Sequence, residues 1–285
     1  MTVNLDPIKE KTLTAKEFED ALQGVRIGPD EAIIHADQKG PDGRPMHYKM
    51  LNALIRKLVL EGIKKIVIEG TMGQRYIAAT AAVKDLFIEI HGTPGNNLGA
   101  FLDGPTIEVF GNAQDLTGNT MNSGRMIIHG NAWDVTGLAA RGGTILIQGS
   151  TGYRVGIHMK EYSGQKPTIV IGGTAKDYLG EYMAGGTILV LDLNRSEGRS
   201  PVGLNLGAGI HGGKMYVRGK VEQHQLGAGA IMGQLTGEDI AELEPLIKEF
   251  EKAFHSKVPR EWETYVRISP SSSRPFSGHY DPTCI

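Results

Sequence analysis

The residues able to do chemistry in this chain are nine histidines, one cysteine and a few glycine-rich runs. A zinc site needs three or four donors within about 2.1–2.3 Å of one ion. His91 and His129 hold equivalent places two repeats apart, roughly 10 Å from each other at strand spacing. They cannot share an ion and read as surface histidines. The single cysteine, Cys284, excludes an intrachain disulfide and an iron–sulfur cluster held by this chain alone. Gly207-Ala208-Gly209 and Gly227-Ala228-Gly229 look like nucleotide-binding turns. Neither leads from a strand into a helix, as a dinucleotide or phosphate loop must. No GxSxG nucleophile elbow is present. The richest polar stretch is Gly156-Ile157-His158-Met159-Lys160-Glu161. A solvated loop is its default reading. The alternative is that His158, Lys160 and Glu161 meet a partner or a substrate channel.

The elements that would position these residues come from a repeat. Gly92, Gly111, Gly130 and Gly149 are spaced by 19 residues. Gly99, Gly118, Gly137 and Gly156 follow them seven residues later each time. After an insertion of five residues the series resumes at Gly173 and Gly180. Asp192 takes the next strand-end place, and Gly207 and Gly219 complete the pattern. Insertions in solenoids gather on functional faces, and this one lies beside His158. A period near 20 predicts stacked coils. Glycines recur because a stacked corner requires φ > 0 or close backbone approach.

Counting back from the strand ends fixes the strands. Four residues before them stand Ile66, Ile88, Ile107, Met126, Ile145, Ile169, Ile188 and Met215. Two before them stand Ile68, Ile90, Val109, Ile128, Ile147, Ile171, Val190 and Val217. Alternate residues of a strand share a face, so both columns point inward. The expected fold is an all-β core, a single-stranded right-handed β-helix of about eight coils of ~19 residues. Helical appendages flank it. The expected division is a helical cap over 1–65, the solenoid over 66–232, and a helix with an extended tail over 233–285.

Between the inward columns an outward one turns apolar at Ile127, Leu146, Val170 and Leu189. An exposed apolar stripe is an association site. Either this chain's own terminal helices cover it or a partner does. At the N-terminus, Thr14 and Glu17 form a capping box, and a short strand falls at Ala32-Ile33-Ile34. An amphipathic helix over about 47–61 is expected to cover the open first coil. A second begins at Thr236 and runs over about 237–254. The last 20 or so residues have too few core formers to fold alone. They are disordered or form an arm laid on a partner, with Arg274 among its contacts.

The formal net charge of −2 and the absence of a basic stripe argue against a nucleic-acid partner. No apolar run reaches membrane-spanning length, and no signal-peptide pattern opens the chain, so a cytoplasmic protein is expected.

Four stretches carry a resemblance to a known family: Asn96-Asn97-Leu98-Gly99-Ala100-Phe101, Gly118-Asn119-Thr120-Met121-Asn122, Tyr153 to Glu161, and Leu179 to Gly186. They resemble the GXGXG domain at the C-terminus of glutamate synthase large subunits. The greatest similarity is to the separately encoded form of archaea and some bacteria. One of the subunits of formylmethanofuran dehydrogenase shares the fold. The resemblance covers about residues 45–230, and more loosely the C-terminal helix and tail. It implies a scaffold with no catalytic, cofactor or metal residue of its own. Its implied partners are a glutamine amidotransferase-like chain that releases ammonia and a synthase chain carrying FMN and an iron–sulfur cluster. Two alternatives remain at this point. One is the equivalent subunit of a related amidotransferase/FMN assembly or of formylmethanofuran dehydrogenase. The other, from a different class, is an independent structural or protein-binding module.

Overall fold

Two inward apolar columns leave the chain one economical solution, a ladder of short parallel strands with each column stacked on itself. The computed structural model describes residues 13–29, 31–40, 43–194 and 198–273. It opens with α1 (Ala15–Gln23), β1 (Arg26–Ile27), β2 (Glu31–His35) and α2 (Tyr48–Leu60). The repeat supplies β3 (Lys65–Met72), β4 (Phe87–Thr93), β5 (Asp103–Phe110), β6 (Ser123–Ile128), β7 (Thr144–Ile147), β8 (Thr168–Ile171), β9 (Ala184–Val190) and β10 (Gly212–Arg218). Then come β11 (Ala230–Gln234), α3 (Gly237–Phe254) and β12 (Tyr265–Pro270). All strands form one 12-stranded sheet in the order β1 to β10, then β12, then β11.

The register places Ile66, Ile88, Ile107, Met126, Ile145, Ile169, Ile188 and Met215 in one line. Every residue of both inward columns is buried in a single core. The winding amounts to about 6 turns, against the eight coils expected. Strand ends mark posts whereas turns are the spans between them, and the outermost strands share their spans with flanking segments.

Glycine is demanded for two different reasons, close approach and left-handed φ, and some strand-end glycines show the first alone. At Gly130 φ is not left-handed, yet a Cβ would stand 2.6 Å from the Gly111 oxygen of the coil below. Gly149 and Gly173 likewise lack a left-handed φ, so close approach alone demands glycine at these strand ends. Gly118, from the later series, has φ +70, and its Cβ would lie 2.5 Å from Ile145 Cδ1 inside the core.

The ends are closed by more than helices. α2 buries Met50, Leu51, Leu54, Ile55 and Leu58 into the interior of the solenoid. The strand edge it was expected to cover is instead paired by β2, which runs parallel to β3, with β1 antiparallel beyond it. A helix face has no free backbone groups for a strand edge, so a strand must do this. At the other end the last 20 or so residues were expected to be disordered or an arm on a partner; where they begin, Tyr265–Pro270 is β12, antiparallel to both β10 and β11, and residues 274–285 lie outside the described ones. β2 and β12 thus carry the sheet beyond the 66–232 segment on both sides. Arg274 and Cys284 lie outside the described residues.

The packing predicts opposite outcomes for two glycine substitutions. Gly118→Ala meets both left-handed strain and a core clash, costing about 2–4 kcal/mol. Gly237→Ala, at the first turn of α3 with open space around it, should be neutral or stabilise by up to about 1 kcal/mol. Denaturant unfolding of both variants measures the difference.

Candidate functional site

Opposite the strands, each regular turn sets three residues at alternating positions in the left-handed region. They are Asn97-Gly99-Phe101, Leu116-Gly118-Thr120, Val135-Gly137-Ala139, Arg154-Gly156-His158 and Tyr178-Gly180-Tyr182. A left-handed non-glycine residue costs about 1–2 kcal/mol. Interlocking hydrogen bonds between coils offset this strain. The outer members donate forward, as Arg154 N to Asp177 O at 3.0 Å and His158 N to Glu181 O at 2.9 Å. The central glycine donates backward, as Gly156 N to Thr136 O at 2.8 Å. The central residue faces the core, whereas none of the outer side chains is buried. Each turn therefore presents two outward side chains in fixed orientation.

On this face the four stretches that carry the family resemblance adjoin in two pairs, 96–101 with 118–122 and 153–161 with 179–186, with the coil of Val135 and Ala139 between the pairs. Asn119 Nδ2 donates to Asn97 Oδ1 at 3.0 Å. Arg154 pairs with Glu181 and lies 4.4 Å over the Tyr178 ring. His158 stacks on Tyr182 with ring centroids 5.4 Å apart. Glu161 Oε1 accepts from Gly186 N at 3.0 Å. His158 and Lys160 remain exposed, and so do Trp133, Tyr153 and Tyr182. Side chains held by neighbours lose little entropy when a second surface settles on them, and exposed Tyr, Trp and Arg are the types that anchor such surfaces.

A second regularity escaped the sequence reading. Asn112 Oδ1 accepts from Asn131 N, and Asn131 Oδ1 from Ser150 N, both at 2.8 Å. Asp115, Asp134 and Asp177 do the same for the backbone of the next coil. These side chains bridge stacked corners that strand pairing cannot reach. Their signal was the repetition of Gly-Asn-Ala-x-Asp at 111–115 and 130–134.

The apolar stripe is covered by this chain. Ile127, Leu146, Val170, Leu189 and Tyr216 are buried against Leu243, Ile247, Phe250 and Phe254 of α3. Gly172 makes room for Phe250, where a Cβ would stand 2.8 Å from its Cζ. The stripe is thus internal packing, and Ile127, Leu146, Val170 and Leu189 are not open to a partner.

A buried charge cluster fixes α3 in register. Asp239, fully buried, accepts from Lys214 Nζ and Tyr216 OH at 2.8 Å and from Arg267 Nη1 at 3.0 Å. It also accepts from Thr236 N, closing the capping box of the helix. Burial alone would raise its pKa. The donors from Lys214, Thr236 and Tyr216 outweigh burial and hold it well below the usual carboxylate range. Burial, then the adjacent Asp239, pushes the Tyr216 hydroxyl far above its ordinary value. Glu242 accepts from Lys166 Nζ and Thr187 Oγ1 at 2.6 Å. Further along, Arg260 grips Glu251 through two nitrogens, and that pairing draws the Glu251 carboxyl down to about 2.

His91 and His129 stand as expected on an outward column, stacked on either side of Phe110 with centroids 5.0 and 4.5 Å away. Each holds a carboxylate, Glu89 and Glu108, at 2.8 Å. Among the described residues no group of three or more His, Cys, Asp or Glu is gathered as a metal site. Gly207 and Gly209 have left-handed φ, and Gly227 is pressed on Ala208, so both glycine runs are stacked corners. A hollow of about 610 Å³ lies between Asn131, Ser150, Tyr153, Lys176, Asp177 and Arg199. Its charges are of both signs. No described helix is long and apolar enough to cross a membrane.

The Asp239 cluster makes α3 sensitive to acid. A carboxylate depressed in the folded state stabilises fully above its unfolded pKa of about 4, and that contribution fades as pH falls toward the folded value. Asp239→Asn should cost about 3 kcal/mol at neutral pH. Wild-type stability should fall below about pH 4, and the variant should lose less over the same interval. Denaturant melts at neutral and acid pH test both.

The comparisons agree with this architecture. The GXGXG motif family matches residues 64–268. An uncharacterized protein of Methanocaldococcus jannaschii, MJ1350, is 49% identical over 270 residues, covering 90% of this chain and 98% of that relative. The matched span runs from β3 into β12 and contains every corner glycine named above, together with the covered stripe and the helix upon it. This chain belongs to the GXGXG motif family.

Proposed function

We propose that this chain is the scaffold subunit of a glutamate synthase. In this reading it joins a glutamine amidotransferase chain to a synthase chain carrying FMN and an iron–sulfur cluster. The complex converts glutamine, 2-oxoglutarate and reductant to glutamate. The chain itself contributes no catalytic, cofactor or metal residue. One observation carries the reading. Two of the stretches that resemble glutamate synthase, Tyr153 to Glu161 and Leu179 to Gly186, lie on adjoining coils and are joined side by side by the Arg154–Glu181 pair and the His158–Tyr182 stack.

The physics of the task supports it. Ammonia must pass from one active site to another before it escapes to water. That transfer demands a fixed distance and orientation between the two partners. A parallel ladder hydrogen-bonded at every coil is a stiff spacer, and its left-handed corners set outward side chains at regular intervals.

Isolation of the complex from its own host, followed by an absorbance spectrum and a glutamine plus 2-oxoglutarate assay, tests the reading. A flavin-bearing assembly that makes glutamate is the expected result. A colourless single protein, with intact partners shown in a control preparation, would instead establish an independent binding module. Tyr153→Ala with Tyr182→Ala should weaken capture of the partner chains by at least about tenfold, as loss of interface anchors does. Thermal stability should stay near wild type, because both side chains are exposed.

A further inference from the structure

We infer that β11 is the contact by which two copies of this chain pair about a two-fold axis. β11 ends the sheet, and among the described residues no strand lies on its outer side. Natural edge strands are blunted by charge, proline or extreme shortness. The opposite edge follows that rule, since β1 has two residues and one is Arg26. β11 does not follow it. Its five residues, Ala230-Ile231-Met232-Gly233-Gln234, carry no charge and no proline, and Ile231 and Met232 are 49% and 39% exposed.

The open groups of this edge complement themselves. Ser271 N donates to Gly229 O, so Gly229, Ile231 and Gly233 turn their backbone toward β12. Met232 and Gln234 then turn theirs to the open side. Antiparallel pairing centred on Met232 would let each Met232 exchange N–H and C=O with its copy. Each Gln234 N–H would meet the Ala230 C=O of the copy. The donor that this register would leave over, Ala230 N, is already used by Gly227 O at 3.2 Å.

Side chains agree with the same register. Met232 continues the inward column Met215–Ile268, whose other two members are fully buried. Its copy would close that column. Opposite Ile231 would come Gly233 of the copy, which offers no Cβ to collide; the atoms nearest that place belong to the flexible Arg267 guanidinium, the first at 3.3 Å. A two-fold pairing closes after two copies, whereas pairing of β11 with the short β1 edge would run on as a fibre.

The test is sedimentation velocity of the full chain over about a hundredfold range of concentration. Wild type should show a monomer–dimer equilibrium. Met232→Pro removes an outward N–H and leaves the β11–β12 ladder intact, so the variant should fold and dimerise at least about tenfold more weakly. Circular dichroism confirms the fold, and Ile231→Lys, with no proline, should weaken the dimer in the same sense. A wild-type monomer at every concentration would overturn the inference, including the case in which another chain's strand takes the edge. So would a dimer that both variants leave unchanged. Capture of amidotransferase and synthase chains by Met232→Pro is scored separately, so loss of the dimer and loss of the scaffold role are distinguishable.

Discussion

Everything in this molecule follows from stacking a backbone on a copy of itself at strand spacing. Once Ile66 must lie beside Ile88, and Ile88 beside Ile107, each position of a coil inherits the environment of the position below. Inward places become apolar columns. Corner places become glycine where the carbonyl below leaves no room for Cβ, as at Gly130 over Gly111. The left-handed alternation between the strands persists for the same reason. Its strain recurs in every turn, and so do the hydrogen bonds between coils that offset it.

This repetition explains what was legible in the sequence. Sixteen inward residues, both glycine series, the α2 and α3 helices and the Thr14 and Thr236 caps could be read directly, because each is a local or periodic signal. β12 could not. It occurs once, and Tyr265–Pro270 becomes a strand only because β10 and β11 offer it edges. The Asn112–Asn131–Ser150 ladder was visible as a repeat, but its purpose appears only when residues 19 apart stand above one another. The stripe from Ile127 to Leu189 was found without its occupant, since nothing in those residues says which apolar face will meet them.

The choice of α3 as that occupant has an electrostatic logic. Leucine and phenylalanine against a flat apolar stripe permit sliding by a turn, because apolar contact has little direction. Asp239 removes that freedom. Its carboxylate closes the capping box of the helix by accepting from Thr236 N, and it is also the acceptor for Lys214, Tyr216 and Arg267, which stand on β10 and β12. A one-turn slip would bury an unpaired carboxylate, at a cost of several kcal/mol. Apolar area thus supplies attraction while the buried charge supplies register.

Covering one face concentrates recognition on another. With the stripe beneath α3 and the sheet edge at β2 closed by β1, the left-handed face is the part of the solenoid where outward aromatic and basic side chains gather, as Arg154, His158, Tyr178 and Tyr182 do on two adjoining coils. Those side chains are already stacked or paired with one another, as Arg154 is with Glu181 and Tyr178. A spacer of the kind proposed, between two enzymes, would need this combination. Its interior must resist deformation, and its contact residues must pay their ordering entropy before the partner arrives. The same in-register backbone meets both needs, since the hydrogen bonds that hold Arg154 and His158 in left-handed conformation also stiffen the coil beneath them.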